Sequence, residues 1–451
     1  MVRCRQFALP LFSLAGAVLA VSVAGYVAPA VAAPAGPVSA TPASGTPQLA
    51  PDPGGTTEQV RQLVQCGSTM YAVGKFSRIS WGGRTYDRRN AFSFQATAPY
   101  AVSDWEPGVN GKVNSIAFRS DTCSRAYLGG SFSRVHGRSA RNIVEVNTST
   151  GAVRTKFARD ANKTVETLVV HDRHLLAGGR FTSINGSGRN YYASLNTTTG
   201  RDDRYLRLSV SGHYEFRGVD ENETRVYNQQ LSPAGRRLLV EGDFTSVRGK
   251  HRQQIFMLTL RSNSQARVTR WRSTQFNGSC DGIEPFYVRA AAWSPDSYTI
   301  YVASTGYRPY YLSNSQKRSG LCDAAAAFPS SERAVRDRWI NYTGCDSLYS
   351  TAADTSTAYF GGHERWADNR HGCNVAGPNA VSAPGMVGLA PSDGAVIFNP
   401  TRSRGLGADD MLVTSEGLWV ASDNYTESDG SVADKCGGVS GHAGICFLPY
   451  G

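Results

Sequence analysis

The chain has 451 residues, of which 41% are hydrophobic and 18% charged, with a formal net charge of +11 at pH 7. A positive balance of this size favours anionic polymers as neighbours. The basic residues run through the whole chain without an aromatic-interleaved basic stretch, which argues against sequence-specific nucleic-acid recognition.

Arg3 and Arg5 precede an apolar stretch from Phe7 to about Val31, and Ala30-Val31-Ala32 offers small residues to a signal peptidase. Residues 1–33 therefore read as a signal peptide. A membrane anchor is the competing reading, but the segment runs into Pro34-Ala35-Gly36-Pro37 with no stop-transfer charge cluster. Residues 34–57 (PAGPVSATPASGTPQLAPDPGGTT) carry few large apolar groups and read as a linker. Residues 58–451 follow as one domain, and no anchor-like tail follows Phe447-Leu448-Pro449-Tyr450. A secreted, extracellular monomer that does not span a membrane is expected.

Beyond Glu58 the chain repeats. MYAVGKFSRISWGGRTYDRRNAFSF, AYLGGSFSRVHGRSARNIVEVNTSTG, LLAGGRFTSINGSGRNYYASLNTTTG and LLVEGDFTSVRGKHRQQIFMLTL share one plan. Each has an apolar run, a glycine, an aromatic two residues on, a second glycine and a basic residue ahead of another strand-like run. TIYVASTGYRP, TAYFGGHERW and GLWVASDN are weaker copies with glycine or serine at the first key position. Tyr71, Tyr127, Leu176, Leu239, Tyr301, Tyr359 and Trp419 align at a spacing of about 60 residues.

Period-2 runs separated by turn residues give each unit four short strands. A lone four-stranded sheet leaves a face uncovered, so the units must stack on one another. Radial stacking predicts an all-β chain, a seven-bladed β-propeller of four-stranded antiparallel blades. Phe76, Phe132, Phe181 and Phe244 recur once per unit and are expected in the core between blades.

The G-x-F-[ST]-x-[IV]-x-G-x-x-R wording resembles the delta-60 repeat of secreted actinobacterial β-propeller proteins. The resemblance covers about Val60 to Leu260 and fades later, where Tyr307 and Trp366 stand near the place of the phenylalanine. It implies a fold and an exported setting, and no catalytic motif travels with it.

Nine cysteines, one of them Cys4 in the leader, leave an even number in the exported part, which argues for disulfides. Cys66 and Cys123 occupy the same turn in adjacent units and form the clearest pair. Sequential pairing of Cys280 with Cys322, Cys345 with Cys373 and Cys436 with Cys446 is one of the 15 connectivities that six cysteines allow. Zinc ligation is an alternative that the absence of Cys-x-x-Cys disfavours.

The connections after the second strand lengthen in the last three units, and long loops on a rigid scaffold are where binding resides. Tyr307, Arg308, Tyr310, Tyr311, Arg365 and Trp366 offer the mixture of aromatic faces and guanidinium groups that stacks sugar rings and bonds their hydroxyls. The competing role for these side chains is to pack the loops against the rim. Asn114, Glu166, Arg289, Asp409 and Asp410 fall at the mouth of the inner strands, where a polar ring could hold a cation such as calcium or polarise a sugar. Alternatively they are polar because a channel is wet. His363, Glu364 and His371 read either as a functional cluster or as a loop held by its own ion pair.

No catalytic or metal-ligating residue is assigned. Gly-x-Ser-x-Gly, His-Glu-x-x-His, phosphate-loop and dinucleotide motifs are all absent. The favoured function is a binding module or scaffold for a glycan, a cell-envelope polymer or a protein. The alternative is a hydrolase or lyase acting on a carbohydrate or lactone through carboxylates at the channel mouth.

Overall fold

A computed structural model describes residues 36–51, 54–119, 122–214, 223–277, 280, 286–306, 321–371, 375–426 and 432–451. No helix among them is long and apolar enough to cross a membrane. The described residues form seven principal sheets in chain order. Their inner strands are Gln59–Cys66, Lys112–Phe118, Val165–His171, Arg225–Leu231, Phe286–Trp293, Leu348–Ala353 and Asp410–Val413.

Each inner strand pairs antiparallel with the strand that carries the keyed apolar residue, and that strand pairs in turn with a third. The keyed residues, from Tyr71 to Trp419, are all buried. Fourth strands are Arg267–Val268, Trp339–Tyr342 and Val396–Phe398 in blades 4 to 6. In blades 1 to 3 the fourth strand shrinks to single bridges, Phe94 to Val102, Val146 to Val153 and Leu195 to Asp202.

The apolar side chains divide into seven clusters, and each is shared by two neighbouring blades. Tyr71 and Val73 of blade 1 meet Ile116 and Leu128 of blade 2, and so on round to Trp419 and Phe447 of blade 7 against Phe92 and Phe94 of blade 1. Burying apolar surface between blades, at roughly 25 cal/mol per Å², therefore closes the ring. Phe76, Phe132, Phe181 and Phe244 lie in these clusters as expected.

Residues 38–50 depart from the linker reading. Ser39 and Ala43 donate backbone hydrogen bonds to Pro449 and Phe447 along the outer edge of blade 7, both at 2.8 Å. Gln48–Leu49 then pairs with Ser80 and Ile79 of blade 1. Val38, Leu49 and Ala50 are buried. Composition misled here because a few apolar residues suffice when both flanking blades already supply a surface to cover.

Disulfides join Cys66 to Cys123, Cys280 to Cys322 and Cys436 to Cys446, the expected pairings. Cys345 is disulfide-bonded, and Cys373 lies outside the described residues.

Candidate functional site: the central channel

One structural device recurs at the ring axis. In six blades the pairing of inner and second strands slips by one residue, between Val60 and Gln62, Val113 and Ser115, Val165 and Thr167, Val226 and Asn228, Val288 and Ala290, and Leu348 and Ser350. Such a bulge re-aims the extra side chain. The extra residues are Arg61, Asn114, Glu166, Tyr227, Arg289 and Tyr349, and Asp409 takes the same place beside Asp410 in blade 7. All seven line a central channel of about 350 Å³.

The residue before each extra one is buried, from Val60 to Ala408. The repeated glycine faces the bulge for a steric reason. A Cβ at Gly74 would stand 2.0 Å from Gln59 O, and one at Gly130 would stand 2.1 Å from Lys112 O.

Residues just after the bulge clasp neighbouring blades. Ile116 N donates to Gln62 Oε1 at 2.7 Å, Leu168 N to Ser115 Oγ at 3.1 Å, and Leu63 N to Asp410 Oδ2 at 2.9 Å. The last of these closes the ring between blades 7 and 1.

The mouth has two unlike halves. On the polar side Arg61 donates to Asp409 Oδ1 at 2.8 Å, Asn114 Nδ2 to Glu166 Oε2 at 2.8 Å, and Arg180 Nε to Glu166 Oε1 at 3.1 Å. On the aromatic side the Arg289 guanidinium lies 5.8 Å from the Tyr227 ring centroid and 5.3 Å from that of Tyr349. Burial raises the pKa of both phenols, so they remain neutral faces.

Among the described residues charge is unbalanced. Arg61, Lys112, Arg180, Arg225 and Arg289 line the channel against Glu166, Asp409 and Asp410. Among the described residues, Lys112, Arg225 and Arg289 have no carboxylate within ion-pair distance. Burial, reinforced by Arg61, lowers the Lys112 pKa. Burial also lifts the Asp410 pKa to about 7, with the Leu63 amide opposing and Asp409 adding to the rise.

The five channel-mouth residues named from the sequence are thus neighbours in space. Three ring members were missed: Arg61, Tyr227 and Tyr349. Aligning the inner strands on their buried valine or leucine would have found them.

The long-loop set is placed only in part. Tyr307, Arg308, Tyr310 and Tyr311 lie outside the described residues. Arg365 is engaged elsewhere, donating from Nε to Asp346 Oδ2 at 2.7 Å and stacking 4.8 Å from the Trp366 ring centroid. Glu364 is buried, and burial lifts its pKa to about 8. His363 packs its ring edge-on to Tyr349, 5.4 Å between centroids, so this loop begins at the channel. Among the described residues no three His, Cys, Asp or Glu side chains converge as a metal-ligand set.

One solved structure is similar enough to bear on the fold. U3-55K aligns with a TM-score of 0.51 at 10% identity, over 91% of this chain and 100% of that one. The chain is a β-propeller. The WD40 repeats of RRP9 align at 0.46 with 10% identity, over 90% of this chain and 98% of that one. The WD40 β-propeller domain of Doa1 aligns at 0.39 with 12% identity, over 86% and 95%. These last two scores are too low to carry argument. No family model matches the propeller, and no curated protein does.

Proposed function

We propose that this is a secreted β-propeller of the delta-60 repeat type that binds an anionic glycan or sugar acid at its channel mouth. The observation behind the reading is Arg289, a guanidinium held between two neutral phenol faces with no carboxylate partner among the described residues. Its N–H fork matches a carboxylate, while Tyr227 and Tyr349 suit the faces of a sugar ring. The paired disulfides agree with an oxidising setting outside the cell.

Titration calorimetry with galacturonate and with neutral galactose tests the site. Galacturonate is expected to bind, and Arg289→Ala to weaken it at least tenfold with the melting temperature nearly unchanged. Equal affinity for galactose, or an indifferent Arg289→Ala, removes the reading.

A hydrolase is the second reading, and it rests on Asp410, the channel carboxylate lifted towards neutrality. Asp410 also accepts the Leu63 amide, so Asp410→Asn keeps that acceptor while removing the acid. A turnover unaffected by this change excludes Asp410 as a general acid.

A further inference from the structure

The outer wall of blades 3 to 5 carries a second concentration of positive charge. A concavity of about 950 Å³ is lined by Arg204, Arg207 and Arg248. Arg248 also lines a second concavity, which shares Lys250 and Arg270 with a third that reaches Arg272. Each hollow therefore shares lining residues with the next, and together they make a basic track. All six of these side chains belong to exposed residues, and among the described residues none has an ion-pair or hydrogen-bond partner for its side chain. Among the described residues Asp202 and Glu332 are the acidic ones in the lining, and Asp202 is bound to Arg189 at 2.6 Å. Crowded like charges in the free protein repel one another, so the wall is built against its own electrostatics.

Backbone conformation adds an independent sign. The hairpin tips of blades 1 to 4 are two-residue turns with both residues left-handed: Gly82-Gly83, His136-Gly137, Asn185-Gly186 and Arg248-Gly249. Such turns favour glycine, asparagine or aspartate at the first place, and blade 4 puts an arginine there at φ 53°. Arg204 is likewise left-handed, at φ 59°. Among the described residues these are the only two left-handed arginines, and both line the same hollow. Strained backbone that delivers two cations to one place points to a function for them.

We propose that this track binds an anionic polysaccharide, its carboxylate or sulfate groups taken by the guanidinium forks of Arg204, Arg207 and Arg248 and by the cations beyond. Among the described residues the lining contains no phenylalanine, tyrosine or tryptophan. Single-stranded nucleic acid is held by stacking its bases on such rings, so a polymer without bases fits better. The track is separate from the channel and does not depend on it.

The decisive variant is Arg204→Gly with Arg248→Gly, which removes both charges and relieves both left-handed residues. Binding of the protein to heparin, to polygalacturonate and to oligothymidylate is measured across a salt series, alongside the melting temperature. The expected result is salt-dependent polysaccharide binding that falls at least tenfold in the double variant, with a shallower salt slope and an unchanged or higher melting temperature.

Arg84→Ala with Arg138→Ala is the control, because these residues open the return strands of the blade 1 and 2 hairpins as Lys250 does in blade 4. An equal loss in the control would reduce the effect to net charge and overturn the track. Tighter binding of oligothymidylate, lost in the same double variant, would overturn the polysaccharide assignment. Polysaccharide binding that survives in Arg204→Gly with Arg248→Gly would overturn the site.

Discussion

Blades 1 to 4 and blades 5 to 7 solve one geometric problem with different side chains. In every blade a left-handed residue stands just before the third strand: Asn90, Asn142, Tyr191, Gln254, Asp323, Gly385 and Gly444. In blades 1 and 2 that residue also stitches, and in blade 4 Gln254 Oε1 accepts Val288 N of blade 5 at 2.8 Å. Asn142 Oδ1 accepts Phe132 N at 3.1 Å, and its Nδ2 donates to Ala161 O of the next connection at 2.9 Å. Asn90 does the same with Phe76 N and Val109 O.

In blade 5 Asp323 keeps half of this, accepting Gly306 N at 2.9 Å. In blades 6 and 7 glycine keeps only the conformation. Cys280–Cys322 and Cys436–Cys446, together with the Asp346–Arg365 pair, hold the later blades instead. What recurs round the ring is backbone conformation, and asparagine recurs only in blades 1 and 2, where it makes both bonds of the stitch.

The strongest way to break this comparison is at the seam where the two regions meet. Deleting residues 36–50 exposes the edges of blades 7 and 1 and should cost at least about 3 kcal/mol in denaturant unfolding. Hydrogen exchange should quicken first in Ile445–Pro449 and Arg78–Trp81. An unchanged midpoint would mean that blade 7 needs no outer strand.

Next comes the staple of the later region. Cys280→Ser with Cys322→Ser should lose about 2–4 kcal/mol. The loss should vanish when wild type and variant are compared under reducing conditions.

Asn142→Ala probes the stitch of the earlier region and should cost about 1–3 kcal/mol through two lost hydrogen bonds and a left-handed alanine. Asn142→Gly should cost less, because it keeps the conformation as blades 6 and 7 do. Equal losses would show that the hydrogen bonds alone matter.

The last test is a pH slope with contributors in both regions. Burial lifts the Glu241 and Glu364 pKa values to about 8. Between the ordinary carboxyl value of about 4 and pH 8, the folded protein holds protons that the unfolded chain has released. Their contribution is fully present below pH 4 and is lost as pH rises to about 8. The melting temperature should therefore fall over that range, and Glu241→Gln or Glu364→Gln should each flatten the fall. Parallel slopes in wild type and variants would refute the assignment.

Much of the scaffold was legible because burial between blades imposes a repeat on the chain. Keyed residues such as Tyr127 and Leu239, the repeated phenylalanines and the Cys66–Cys123 staple all follow from aligning units. The channel residues were half legible. Asn114, Glu166 and Arg289 stood out as polar interruptions of apolar strands, whereas Tyr227 and Tyr349 look like ordinary strand residues in a period-2 reading. Only the bulge turns them inward. Residues 38–50 escaped for the opposite reason, since their few apolar groups gain meaning from the surfaces they cover.

The sequence by itself determined the blade unit, the number of units and which side chains lie between blades, because each unit must bury a fixed pattern on its neighbours. Only the tertiary structure decided what gathers at the axis and on the outer wall. Arg289 meets Tyr227 and Tyr349 from the blades on either side, and Arg204 meets Arg248 across a blade boundary. Those meetings depend on bulges, left-handed turns and ring closure, which place residues some 40 to 60 positions apart within reach of one ligand.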